Sequence, residues 1–191
     1  MIKIALTGNI ASGKSTVQEI LESLGYKVLD TDRVSHELLT VKNEPLYETF
    51  KSYDVFENGE FSREKTGVLV FENPDLKKKL ENILYPQIET KIGEFFSKYS
   101  NDELVFVGIP LVFEAGMTKL FDKIVFVYAD DEIRFKRLVS RNGYSEEYAK
   151  LRMSCQISQD EKLKKSDYVI YNNGTKDELK QSVIKLLPQI Y

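Results

Sequence analysis

Gly8, Gly13, Lys14 and Ser15 fit the spacing G-x-x-x-x-G-K-[ST] without a mismatch, inside the stretch LTGNIASGKSTV at 6–17. The chemistry of that pattern is phosphate binding. The backbone N–H groups of residues 9 to 15 (Asn9, Ile10, Ala11, Ser12, Gly13, Lys14, Ser15) are expected to form a concave nest for a β-phosphate. A helix that opens near Lys14 aims the positive end of its dipole at the same place. Lys14 can bridge the β- and γ-phosphates, and Ser15 can hold Mg2+, with Thr16 beside it. The bland alternative, a glycine turn before a helix, does not require the complete match.

Two further groups could act on a phosphate held there. In the stretch LDTDRV at 29–34, Asp30 and Asp32 follow an apolar run that reads as a strand. A carboxylate at a strand's carboxyl end can deprotonate a hydroxyl or hold Mg2+ through water. The competing reading makes Thr31 or Asp32 the cap of a helix over 32–40, and spacing does not decide between the two. In the stretch DEIRFKRLVSRNG at 131–143, Arg134, Arg137 and Arg141 stand at i, i+3 and i+7. At about 100° per residue they fall within roughly 60° of one helical face. Arg152 follows in the next helical stretch. Such a cluster can clamp a transferring phosphoryl group. It can equally be a solvated face paired with Glu132, Glu146 and Glu147.

Other candidates carry less. His36 has no cysteine or carboxylate partner at ligand spacing, so it reads as an ordinary helix residue and not a metal ligand. Cys155, the one cysteine, reads as a small buried apolar group and permits no intrachain disulfide. The basic run KLKKSD at 162–167 reads as a solvated turn. Tyr and Phe lack the interleaving with Lys and Arg that stacking on nucleic acid would use, and the net charge of -3 argues against a general polyanion binder. No nucleic-acid partner is expected.

The elements that must position these residues alternate. Apolar strands are expected at 2–6, 26–30, 104–109, 123–128 and 168–172. Helix 14–24 carries Val17, Ile20, Leu21 and Leu24 at helical spacing and stops at Gly25. Residues 31–98 read as helical with no convincing β pattern, and 130–165 as charged and helical. Thr175 and Glu178 spell a capping box for a last helix. Continuous apolar strands separated by helices predict an α/β fold, a five-stranded parallel sheet with helices on both faces. The two long connections become side modules at the strands' carboxyl ends, where ligands of such sheets bind. At 191 residues and 42% hydrophobic, the chain can bury one such core. No run approaches the roughly 18 apolar residues of a membrane span, and no leader pattern opens the chain, so no membrane partner and a cytoplasmic location are expected.

Taken in order, TGNIASGKSTV, VLDTDRVSHELL, IPLVFEAG, RLVSRNGYSEEYAKLRMSCQ and DYVIYNNGT resemble the dephospho-CoA kinase family. The segments IPLVFEAG and RNGYSEEYAKLRMSCQ are the specific ones, whereas the phosphate loop alone is shared by many families. The resemblance implies a P-loop, nucleotide-kinase-like fold and ATP- and Mg2+-dependent phosphorylation of the ribose 3′-hydroxyl of dephospho-CoA. It implies a nucleotide-binding core at 1–30, 100–130 and 166–191, a helical acceptor domain at 31–99 and a lid at 131–165. Asp32 resembles the catalytic carboxylate, also placed near the metal with Ser15. Arg137 and Arg141 resemble the lid arginines, and with Lys14 and Asp32 they make up the expected catalytic residues. Asn172, Asn173 and Gly174 resemble the loop beside the adenine, and Pro110, Leu111 and Glu114 the acceptor-side turn. Two positions depart from the pattern: Gly108 stands where an acidic residue is usual, and Tyr85-Pro86 where His-Pro is usual. Another small-molecule kinase would keep the core but change residues 31–98 and 108–116. A guanine-nucleotide switch would want N-K-x-D, which GTKDEL at 174–179 does not supply. A motor would want a carboxylate where Gly108 stands. Oligomeric state is not legible.

Overall fold

A computed structural model of the chain describes residues 1–190, apart from the side chain of Asn142. Two compact units emerge, one of residues 1–29 with 98–191 and one of residues 30–97.

The first unit is built on β1 (Ile2–Gly8), β2 (Lys27–Asp30), β5 (Leu104–Gly108), β6 (Lys123–Tyr128) and β7 (Tyr168–Tyr171). They form one parallel sheet in the order β2-β5-β1-β6-β7. The five strands stand where the apolar runs predict them, with ends shifted by one or two residues. The first and second strands of the chain are not neighbours, because β5 is inserted between them. Leu6 of β1 is in register with Gly108 of β5, and Gly8 with Val127 of β6, so the phosphate loop leaves the sheet from its centre.

The period of two separates the two faces of these strands. Ile4, Leu6, Leu104, Phe106, Val125, Val127 and Ile170 pack against Val17 and Leu21 of α1 (Lys14–Ser23) and against Leu179, Val183 and Leu186 of α9 (Lys176–Leu186). Ala5, Val105, Val107 and Phe126 alternate with them and are equally buried. Helix α8 (Gln159–Lys164) packs on β6; α6 (Asp131–Asn142) and α7 (Glu146–Ser154) precede it. Helix α1 ends in a Schellman motif: Gly25 N–H donates to Glu22 O, Tyr26 N–H donates to Leu21 O, and Gly25 takes a φ of 91°. Helix α9 starts with the expected capping box of Thr175 and Glu178.

The second unit contains α2 (Thr31–Leu38), α3 (Glu44–Phe50), a hairpin of β3 (Phe56–Glu57) and β4 (Glu60–Phe61), α4 (Arg63–Glu72) and α5 (Pro74–Lys98). The hairpin corrects the expectation that this mostly helical segment holds no β structure. Its turn is Asn58-Gly59, both at positive φ (50° and 81°), the backbone that a two-residue hairpin with the right twist demands. Phe56 and Phe61 pair across it, and Phe61 meets the buried Phe50. Helix α2 covers 31–38, not 32–40, and its cap is Asp30, whose side chain accepts from the Asp32 N–H at 3.1 Å. Pro86 lies inside α5. No described helix is long and apolar enough to cross a membrane.

The run 162–167 is not a solvated turn. Lys162 is fully buried, 2.8 Å from Glu114 Oε1 and 3.3 Å from the Pro110 carbonyl. This ion pair joins α8 to the turn that follows β5. An ammonium taken out of water is costly unless paired, so losing one partner should be worse than losing both. Glu114→Leu is expected to lower unfolding free energy by about 3 kcal/mol, and Glu114→Leu with Lys162→Met to regain most of that. Urea denaturation of the two variants beside the parent checks it; equal losses in both would contradict the pairing.

Candidate functional site

The loop between β1 and α1 is held in shape from within. Ser12 N–H donates to Asn9 O at 3.0 Å, closing a turn. Ala11 sits at φ 62° and Gly13 at φ 99°, the left-handed region that residues with a Cβ seldom enter. Space is equally tight. A Cβ on Gly8 would overlap Ser12 Oγ, and one on Gly13 would overlap Asn172 Nδ2.

From without, the loop is held by its carbonyls. Arg134 Nε donates to Ile10 O at 3.0 Å, and Arg137 Nη1 to Ala11 O at 3.3 Å and Ser12 O at 3.4 Å. Asn172 Nδ2 donates to Ser12 O at 2.7 Å, and Arg137 Nη2 to Asn172 O at 3.0 Å. In a trans peptide the N–H points away from the C=O. Turning the carbonyls of 10, 11 and 12 toward these donors therefore turns the N–H groups of 11, 12 and 13 the other way. The nest is narrower than 9–15, because the Ser12 N–H closes the turn and the Ile10 N–H donates to Gln156 Oε1 at 2.7 Å. Two buried polar atoms of the loop, Asn9 Oδ1 and Ser12 Oγ, have no partner within the protein. Buried polar atoms are rarely left so. The Ser12 hydroxyl can donate to a phosphate oxygen, whereas Asn9 Oδ1 can only accept and calls for a donor such as water.

The arginines are thus not one solvated face. Arg134 is 2% exposed and paired with Asp131 at 2.8 Å. Asp131 also accepts from Gln159 Nε2 at 2.8 Å, and Gln159 donates to Ala129 O. Burial lowers the guanidinium pKa of both Arg134 and Arg137. From its high starting value that leaves both charged at neutral pH, so they place positive charge behind an anion-binding loop. Arg141, in the last turn of α6, is exposed, as is Ser15. Cys155 is exposed too, against expectation. It follows α7 in a segment tied to the loop by Gln156 and by Ile157, whose carbonyl accepts from Asn9 Nδ2 at 3.0 Å. That exposure follows from where the neighbours are anchored.

Lys14 is buried, and its Nζ donates to Gln18 Oε1 at 3.1 Å, one helical turn on. Gln18 is itself 5% exposed and fills the space beside Gly108: a Cβ on Gly108 would overlap its Nε2 and lie 2.7 Å from its Cδ. Sequence reasoning missed Gln18. Its signal was a polar residue four positions after Lys14, on the same buried stripe as Val17 and Leu21.

The segment 172–174 is committed residue by residue. Asn172 grips the loop, the Asn173 side chain accepts from the Asp130 N–H at 2.9 Å, and Gly174 leaves room for Glu178 Oε2, which accepts from the Thr175 N–H at 2.7 Å. In the other unit, the cap of α2 is Asp30, which relieves Asp32 of that task. Among the described residues no cluster of three or more His, Cys, Asp or Glu could hold a metal alone. A Mg2+ bound mainly through phosphate oxygens, water and the Ser15 hydroxyl needs none.

Known proteins of this shape agree with the geometry. A family model described as dephospho-CoA kinase matches residues 2–178. Dephospho-CoA kinase of Geobacillus kaustophilus is 37% identical over 98% of this chain and 96% of its own. That of Carboxydothermus hydrogenoformans is 39% identical over 96% and 92%. Among solved structures, a Thermus thermophilus protein superposes with a TM-score of 0.87 at 34% identity, covering 100% of this chain and 98% of its own. Dephospho-CoA kinase from Campylobacter jejuni gives 0.72 at 34% identity, covering 98% and 96%. Shikimate kinase from Bacteroides thetaiotaomicron, at 0.55 and 14% identity, shares the fold. The phosphate loop, the sheet that carries it and these matches over nearly the whole chain lead to one conclusion: the chain belongs to the dephospho-CoA kinase family.

Proposed function

We propose that the chain transfers the γ-phosphoryl group of ATP to the ribose 3′-hydroxyl of dephospho-CoA, giving coenzyme A and ADP in the cytoplasm. The observation that carries this reading is the loop at 8–14, its peptide planes set by Arg134, Arg137 and Asn172 in a chain of this family. In this reading the loop from Gly8 to Thr16 borders the phosphates, with the N–H groups of Ala11 and of Gly13 onward taking the β-phosphate, and Asn172 to Gly174 border the nucleotide. The unit at 31–99 takes the acceptor and the segment 131–165 serves as lid. Ser15 and Asp32 would hold Mg2+, which would supply neutralisation of the phosphate charge.

Phosphoryl transfer of this kind asks the protein for position and charge. Lys14 reaches the β- and γ-phosphate oxygens from the first turn of α1. Arg137 keeps the loop in form and so acts through it, while Arg141 is the arginine whose exposure lets it meet the transferring group. Asp32 accepts the proton of the ribose hydroxyl as the new P–O bond forms.

Purified protein with MgATP and dephospho-CoA is expected to give ADP and a product heavier by one phosphate, one for one, by mass spectrometry. ATP turnover indifferent to dephospho-CoA would sink the reading. Lys14→Ala should weaken both ATP binding and kcat, because it touches phosphate before and during transfer. Arg141→Ala should lower kcat, on the order of 10³-fold, with less effect on ATP affinity; near-normal kcat would return Arg141 to the solvent. Asp32→Asn should hold melting temperature and ATP affinity and cost at least about 10²-fold in kcat. Stability should barely move, since Asp30 and not Asp32 caps α2, and Asn keeps the shape of Asp. A variant with the parent's kcat removes Asp32 from the chemistry.

A further inference from the structure

We propose that Gln18 is a positioning residue for Lys14, and that residue 108 must be glycine because Gln18 occupies the volume its side chain would fill. The inference rests on the reading of Lys14 as the phosphate-binding lysine and deepens it.

Three observations carry it. Gln18 Oε1 accepts a hydrogen bond from Lys14 Nζ at 3.1 Å, with both side chains buried. A glutamine on a face otherwise made of Val17 and Leu21 costs desolvation unless its polar end is used. At Gly108, the last residue of β5, a Cβ would meet Nε2, Cδ and Oε1 of this one side chain. The strand end and the helix therefore share a single slot. Gln18 fills it, and in doing so aims its acceptor at the lysine.

Lysine is a point charge on a four-carbon stem with many rotamers. An acceptor one turn along the same helix favours those that run along the helix surface. Order of this kind, present before the nucleotide arrives, reduces the entropy lost on binding. A hydrogen bond to a charged group is the stronger sort, so its loss is expected to lower nucleotide affinity by roughly tenfold or more.

The test is a double-mutant cycle read by calorimetric titration with MgADP, with melting temperature measured alongside. Gln18→Leu keeps the volume and removes the acceptor; it should weaken ADP binding about tenfold. Gln18→Glu keeps an acceptor at the same place and should stay within about threefold of the parent. Gly108→Ala should weaken binding as Gln18→Leu does, by displacing the glutamine, yet add nothing in a Gln18→Ala background, because the slot is then open. Parental affinity in Gln18→Leu, or equal losses in the Leu and Glu variants, would overturn the positioning role. A loss from Gly108→Ala that persists without Gln18 would overturn the shared slot. If Gln18→Leu does not fold, the Gly108→Ala arm still decides. A parent that binds MgADP but leaves dephospho-CoA unmodified would defeat the kinase reading alone, with the Gln18 result intact.

Discussion

Everything about the nucleotide loop depends on where its carbonyls point. A peptide group is rigid and two-sided, so a loop can present N–H groups on one side only if something on the other side takes the oxygens. Here Arg134, Arg137 and Asn172 take them. Two of these come from α6 and one from the end of β7, elements distant in sequence and adjacent in the sheet's layout. The anion site is thus a property of the whole first unit, and the motif at 8–15 is only its visible half. The left-handed backbone of Ala11 is tolerable for the same reason: partners on both sides hold the conformation in place.

Much of this was legible in the sequence. Strand runs without polar interruption announced a parallel sheet, and the glycine-lysine-serine spacing announced the loop. Both signals are local, so both survive the loss of three-dimensional context. The hairpin at 56–61 was missed: Asn58-Gly59 is a strong turn signal, but its strands of two residues are too short to show alternation. What could not be read was commitment. Arg134, Arg137 and Arg141 look alike along one helix face, yet the first is buried on a loop carbonyl, the second half-buried on two more, and the third exposed. Each lies about one turn from the next, and tertiary neighbours alone tell them apart. Spacing could not say, likewise, that Asp30 and not Asp32 would cap α2.

Charge placement follows a consistent rule in the first unit. Each buried cation meets an oxygen acceptor: Lys162 has Glu114 and Pro110, Arg134 has Asp131 and Ile10, and Lys14 has the Gln18 side chain. A run such as 162–167 looks like surface because lysine is seldom buried. Lys162 is the exception, because a glutamate from the turn after β5 stands within reach. Stability and anion binding are therefore served by the same kind of contact, a cation on a backbone oxygen, which polarises the peptide whose N–H faces the other way.

Cys155 is the only sulfhydryl in the chain and stands exposed, one residue before the glutamine that bonds the Ile10 N–H. An environment-sensitive maleimide dye would attach to the native sequence at one site and no other. That label would sit one residue from the Gln156 contact with the loop. Occupancy of the nucleotide site could then be followed as emitted light, in stopped flow and without engineering.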